Sequence, residues 1–202
     1  MALISNGSTI FDNGSMASGF GGSMTFIKKL TASASATLSF VDGTDGVLLD
    51  DTYKEYVFTF KNIHPSASST LVFQVSTDGG SSYATTLTST TFRAYHFESG
   101  ATAFGYDNAD QANGTAFQDL IMGTIGTDND QSSSGSLNLY NPSSTTFVKH
   151  YTSIMNTAQG TPLSLNGFSA GYFNTTSAVD AVQFKMSSGN IDDGDICLYG
   201  IA

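Results

Sequence analysis

Basic residues are scarce in this chain. It has seven Lys or Arg among 202 residues, against 17 Asp or Glu, for a net charge of −10. Nucleic acid is therefore a poor partner, because holding phosphates requires clustered Lys and Arg, and an anionic membrane surface is disfavoured for the same reason. Long apolar runs are missing too. None approaches the length of a membrane span, so no membrane insertion is expected. The first residues, MALISNGSTIFDNG, carry neither the basic region nor the apolar block of a secretory signal, which leaves the sequons at Asn6, Asn13, Asn113 and Asn174 little weight. A single cysteine, Cys197, excludes an internal disulfide framework. It is set in the run Ile196-Cys197-Leu198-Tyr199 and reads as a small buried hydrophobe. Tryptophan is absent, so 15 Phe and 9 Tyr are the large groups available to a core.

Motifs for familiar chemistries are lacking as well. The three histidines, His64, His96 and His150, make no His-X-X-X-His spacing, and there is no Cys-X-X-Cys, so zinc is not expected; a structural role is expected for all three. There is no Gly-X-Ser-X-Gly elbow and no phosphate loop ending in Lys-Ser/Thr. Acidic clusters stand at Asp42–Asp45, Asp50-Asp51, Asp107–Asp110, Asp128–Asp130 and Asp192–Asp195. Only Glu55 and Glu98 could close a twelve-residue calcium loop, and neither is suitably placed. The clusters read as turn caps and an anionic surface, with calcium binding by one loop as the competing reading. A glycosidase needs two carboxylates across a cleft, and nothing singles out a pair. No catalytic residue, metal or cofactor is expected.

What is abundant points to strands. Ser and Thr make up about a quarter of the chain and Gly accounts for 21 residues. Charged residues are 12% against 40% hydrophobic, a balance that suits many short strands joined by small-residue turns and not disorder. Tyr56-Val57-Phe58-Thr59-Phe60-Lys61 alternates strictly, and Leu71–Ser76 alternates again after the turn signal Asn62-Ile63-His64-Pro65-Ser66; the two are expected to pair as a hairpin. The stretch Ser76-Thr77-Asp78-Gly79-Gly80-Ser81-Ser82-Tyr83 follows. Its Asp78, Gly79 and Gly80 carry the backbone chemistry of a tight hairpin tip. Strand, turn and strand are also expected over 137–151, with the second strand at 146–151, and over 181–201, pairing 181–186 with 196–201. Single strands are expected at 24–27, 37–40, 90–97 and 168–173, and a short helical turn near 117–122. Residues 1–23, rich in Gly and Ser, read as an extended arm whose apolar anchors are Ile4, Ile10, Phe11 and Phe20. The remainder, 24–202, is expected to be one all-β domain, an antiparallel β-sandwich of jelly-roll type.

One stretch also carries a resemblance. Tyr53-Lys54-Glu55-Tyr56, then Phe58-X-Phe60-X-Asn62-Ile63-His64-Pro65-Ser66, then Leu71-X-Phe73-Gln74-X-Ser76-X-Asp78-Gly79-Gly80-Ser81-X-Tyr83, resembles a segment of tailed-bacteriophage virion proteins. The ending Ser187-Ser188-Gly189-Asn190-Ile191 with Ile196-X-Leu198-Tyr199-Gly200-Ile201 resembles their C-terminal hairpin. The beginning, MALISNGSTIFDNGS, is similar to small proteins of marine cyanobacterial phages. The resemblance implies a non-enzymatic component of the virion exterior, in a tail fibre, elsewhere on the tail, or as a capsid decoration. It carries over no catalytic residue. Its implied partners are other virion proteins and copies of the chain itself, with a trimer as the oligomer that analogy suggests. The arm would lie along a neighbouring subunit.

The competing function is a carbohydrate-binding module for host surface glycans. Tyr83, Tyr95, Tyr106, Tyr140 and Tyr172 are the candidates for stacking on sugar rings, with Asp and Asn as polar partners.

Overall fold

The computed structural model describes residues 3–5, 8–12, 15–16 and 23–202. Near the N-terminus lie β1 (Leu3–Ser5), β2 (Ser8–Asp12) and β3 (Ser15–Met16). Among the described residues they pair with one another, as a three-stranded antiparallel sheet in the order β1-β2-β3. Ile4 lies in β1, and Ile10 and Phe11 lie in β2. Phe20 falls outside the described residues.

From Met24 onward the chain forms β4 (Met24–Thr31), β5 (Leu38–Val41), β6 (Glu55–Pro65), β7 (Leu71–Ser76), β8 (Leu87–Phe97) and β9 (Thr102–Tyr106). These are followed by β10 (Gln118–Asp119), β11 (Ser133–Tyr140), β12 (Lys149–Ala158), β13 (Leu163–Phe173), β14 (Ala181–Met186) and β15 (Ile191–Ile201). They make two antiparallel sheets, one of eight strands in the order β4-β15-β6-β11-β12-β13-β8-β9 and one of four in the order β10-β7-β14-β5. The all-β antiparallel sandwich expected from alternation is the observed fold. Among the described residues there is no helix.

The core lies between the sheets and is aromatic. Phe73 and Phe184 of the small sheet meet Phe58, Phe60, Tyr151 and Phe173 of the large one. Ring centroids are 5.0–5.7 Å apart, edge to face, and every one of these rings is buried. Such pairs add specificity beyond the apolar area they bury. Cys197 is buried and unpaired.

Three expectations about pairing fail for one reason: the chain crosses between the sheets. β6 does not pair with β7 but lies between β15 and β11, while β7 lies between β10 and β14. Likewise β14 belongs to the small sheet and β15 to the large one, so 181–186 and 196–201 are not a hairpin. The turn over 76–83 joins β7 to β8 in the opposite sheet, and so it is a bridge between layers and not a hairpin tip. The expected hairpin over 137–151 does form, as β11 and β12, but its second strand starts at Lys149 and not at Thr146. The expected helical turn near 117–122 is replaced by β10, paired with Phe73 and Val72, followed by Leu120, Ile121 and Met122 buried as a core plug.

The turn expected at Asn62–Ser66 is also absent, because β6 runs straight through it to Pro65. A bulge absorbs the turn chemistry. Asn62 adopts φ +50°, its N–H donates to Ser134 Oγ at 3.0 Å, and the pairing with both neighbouring strands slips at this point.

Candidate functional site

The outward face of the large sheet is the feature the core does not explain. Along β12, inward Lys149, Tyr151, Ser153, Met155 and Thr157 are buried, while outward His150, Thr152, Ile154 and Asn156 are exposed. The same period of two sets the outward residues of β13 (Asn166, Phe168, Ala170, Tyr172), β8 (Thr88, Thr90, Phe92, Ala94, His96), β9 (Thr102, Phe104, Tyr106) and β11 (Ser134, Ser136, Asn138, Tyr140).

Register brings the large outward groups into one row. Tyr106 stands opposite Phe92, Phe92 opposite Phe168, Phe168 opposite Ile154, and Ile154 opposite Ser136. Phe92 and Phe168 stack with centroids 4.6 Å apart and planes 11° from parallel, and Phe104 meets Phe92 edge-on at 5.7 Å. Despite these contacts the row stays open to solvent: Phe104 is 74% exposed, Tyr106 63% and Ile154 50%. A depression of about 230 Å³ opens beside it, lined by Phe92, Ile154, Phe168, Thr90, Thr152 and Ser136. Single exposed apolar residues are ordinary, but a contiguous row rimmed by polar groups marks an interaction site.

The part of this face formed by β8, β9, β11, β12 and β13 is also free of charged side chains, and it ends at β6, where Glu55 accepts from Asn138 Nδ2 at 2.6 Å. None of the outward residues of β8, β9, β11, β12 or β13 is Asp, Glu, Lys or Arg, on a chain of net charge −10. Its polar groups are the imidazoles of His96 and His150 together with hydroxyls and amides that bond across strands, such as Asn156 Nδ2 to Ser164 Oγ at 3.0 Å and Tyr140 Oη with Thr152 Oγ1 at 3.2 Å. Tyr106 donates to Asp110 Oδ2 at 2.6 Å, and this bond to a carboxylate raises its pKa above the ordinary phenol value.

The acidic clusters sit off these outward positions, four of them in loops and Asp192–Asp195 in β15, and most are engaged locally. Asp42 accepts from the Leu49 N–H at 2.8 Å and Asp50 from the Thr52 N–H at 2.9 Å. Asp107 pairs with Arg93 at 3.0 Å, and Asp195 accepts from Thr31 Oγ1 at 2.5 Å and pairs with Lys29 at 3.3 Å. Among the described residues, no three His, Cys, Asp or Glu side chains come together as a metal-binding group. His64 lies in β6 within 3.3 Å of the Asp128 carbonyl oxygen, while His96 and His150 are outward residues of the uncharged face.

The turn over 76–83 is closed by its own hydrogen bonds. Ser76 Oγ donates to Asp78 Oδ1 at 2.6 Å, the Ser82 N–H to the same oxygen at 2.9 Å, and Ser82 Oγ to Asp78 Oδ2 at 2.7 Å. These donors hold the Asp78 carboxyl down at about 2. Gly79 and Gly80 have φ of +71° and +81°, and the Gly79 N–H reaches Asp180 Oδ2 at 3.0 Å.

Of the five candidate tyrosines, Tyr106, Tyr140 and Tyr172 stand on the outward face. Tyr95 points inward on β8, edge-on to Phe97 at 5.5 Å, and Tyr83 ends the 76–83 turn, with its hydroxyl against Gly80. Sequence reasoning missed Phe92, Phe104, Ile154 and Phe168. Their signal was a large apolar residue inside an otherwise polar alternation, as in Thr88-X-Thr90-X-Phe92 and His150-X-Thr152-X-Ile154.

Together these features define a β-sandwich that presents one broad, uncharged sheet face crossed by an aromatic row. No family model matches the chain, and neither a curated protein nor a solved structure matches it.

Proposed function

We propose that the protein is a non-enzymatic adhesion component on the exterior of a tailed-bacteriophage particle, docked through its sandwich surface with residues 1–23 as an assembly arm. The observation that carries the adhesive role is the open row Tyr106–Phe92–Phe168–Ile154 on a sheet face without charge. The virion setting is supported by the resemblance of residues 53–83 and 187–201 to virion proteins. A non-enzymatic role is supported by the engagement of the acidic groups as turn caps and ion pairs.

The test is to purify particles of a phage that encodes the chain and image them with the protein labelled. Stoichiometric copies at a fixed position on the exterior are expected. Ile154→Glu should lower occupancy, and deletion of 1–23 should release the protein while the sandwich remains folded. Absence of the chain from purified particles would remove the virion reading.

A second reading is binding of host surface glycan. It is favoured by the exposure of Phe104 and Tyr106, whose ring faces are available for stacking, beside the hydroxyl and amide groups of the same sheet. A glycan array that gives equal signal for the wild-type chain and for Tyr106→Ala would eliminate it.

A further inference from the structure

The geometry points to a specific occupant of the outward face: a second copy of this chain, docked sheet to sheet. The inference rests on the adhesive reading of that face and names its partner.

Charge carries the first part of the argument. Two copies at −10 repel one another wherever their acidic loops approach. The surface formed by β8, β9, β11, β12 and β13 carries no Asp, Glu, Lys or Arg at any outward position, so apposing it to itself buries no charge from those strands; the nearest carboxylates, Asp110 bonded to Tyr106 and Glu55 bonded to Asn138, stand at its two edges. A basic partner would be drawn to the acidic clusters at Asp42–Asp45 and Asp192–Asp195 and would gain nothing from this face. A second copy is suited to it, because it brings a surface equally free of charge. The acidic loops are left at the periphery, where salt screens them within about 8 Å.

Area and shape carry the second part. Five strands at about 4.8 Å spacing and about 30 Å long present roughly 700 Å². A standard stable interface buries about 800 Å² per partner, so this face is close to the required size without help from the rest of the molecule. Twisted sheets pack face to face about 10 Å apart with interdigitating side chains. A two-fold contact is self-complementary. It lays the row Tyr106–Phe92–Phe168–Ile154 against the reversed row of its mate, so the exposed Phe104 and Tyr106 end covers the hydroxyl-lined Ile154 and Ser136 end.

Sedimentation velocity of the full chain tests this, from about 1 to about 100 μM, a range suited to an interface of this size. The expected result is a species of twice 21.2 kDa, with self-association at least tenfold weaker in Ile154→Glu. Ile154 is half exposed, so the substitution leaves the core intact; thermal melting checks that. If Ile154→Glu melts early, Phe104→Glu gives the same reading from a site that is 74% exposed. Three results overturn the inference: a wild-type chain that stays monomeric across the range, a species of three times the mass, or variants that associate as the wild type does. A monomer that binds cellohexaose through Phe104 and Tyr106 also overturns it, in favour of the sugar reading. The two proposals fail separately. A monomeric chain whose Ile154→Glu variant is lost from particles removes the second copy and keeps the adhesive face. A dimer in solution that is absent from particles removes the virion setting and keeps the dimer.

Discussion

Asn62 and Gly194 face each other across β6 and β15, both at positive φ, +50° and +116°. A Cβ on Gly194 would stand 2.7 Å from the Asn62 carbonyl oxygen and 2.9 Å from Ile63 Cα. Both strands therefore depart from regular pairing at one place, and only glycine fits on the β15 side. Gly194→Ala should destabilise the fold by about 3 kcal/mol, combining a strained backbone with a backbone clash. Urea denaturation of variant and wild type measures the difference. A loss under about 0.5 kcal/mol, the level of a neutral surface change, would mean that the two strands can separate here at no cost.

This bulge explains where the sequence was legible and where it was not. Alternation in Tyr56–Lys61 reports a strand, because period-two side chains must face a core and solvent in turn. Asn62-Ile63-His64-Pro65 reports only that the backbone needs unusual geometry, and a bulge meets that need as well as a turn does. The same limit applies at Asp78-Gly79-Gly80. The two glycines take positive φ as a hairpin tip would require, yet the flanking strands lie in opposite sheets. Local chemistry fixes the bend and not the partner. The outward row was illegible for a related reason: Tyr106, Phe92, Phe168 and Ile154 lie on four strands, and only tertiary register aligns them.

Gln74 is fully buried on β7 and closes the outer side of the small sheet. Its Nε2 shares its two hydrogens among the carbonyls of Thr85, Thr115 and Ala116 at 3.0–3.3 Å, and its Oε1 accepts from the Val75 N–H at 2.8 Å. Gln74→Ala leaves the buried Val75 N–H without that partner and releases the three carbonyls, whose bonds are only partly buried. A loss of about 2–3 kcal/mol is expected by chemical denaturation. Hydrogen exchange should rise first at Val75 and in the segments around Thr85 and Thr115. A variant as stable as wild type would show that water replaces the amide freely.

Asp78 gives an acid-side prediction. Its carboxyl is held at about 2 by the Ser76 and Ser82 hydrogen bonds, below its ordinary 3.8. A depressed acid stabilises the fold fully above the unfolded value, and that contribution is lost as pH falls through the folded one. Asp78→Asn should therefore lower Tm at pH 5–7, and the gap to wild type should narrow as pH falls from about 4 to about 2. A gap of constant size over that interval would show that the charge of Asp78 plays no part in holding the turn.

Asp119 gives the opposite sign. Burial, reinforced by the nearby charge of Asp107, pushes its carboxyl up from 3.8 to about 6. The group therefore favours folding most below the unfolded pKa, and that advantage is lost as pH rises through about 6. At neutral pH the ionised side chain strains the junction of β10 with Val72 of β7, beside the core plug Leu120–Met122. Asp119→Asn removes the charge and keeps the shape. It should stabilise the protein by about 1 kcal/mol at pH 7–8, a value reduced for the solvent that still reaches the group. For a chain of this length that corresponds to about 2–4 °C in Tm. Near pH 4 the wild-type carboxyl is already protonated in the fold, so the two melting curves should converge. Melting both proteins from pH 4 to pH 8 decides the point: a variant less stable than wild type at pH 8 would mean that the Asp119 carboxylate is held by a favourable partner and not by an unfavourable burial.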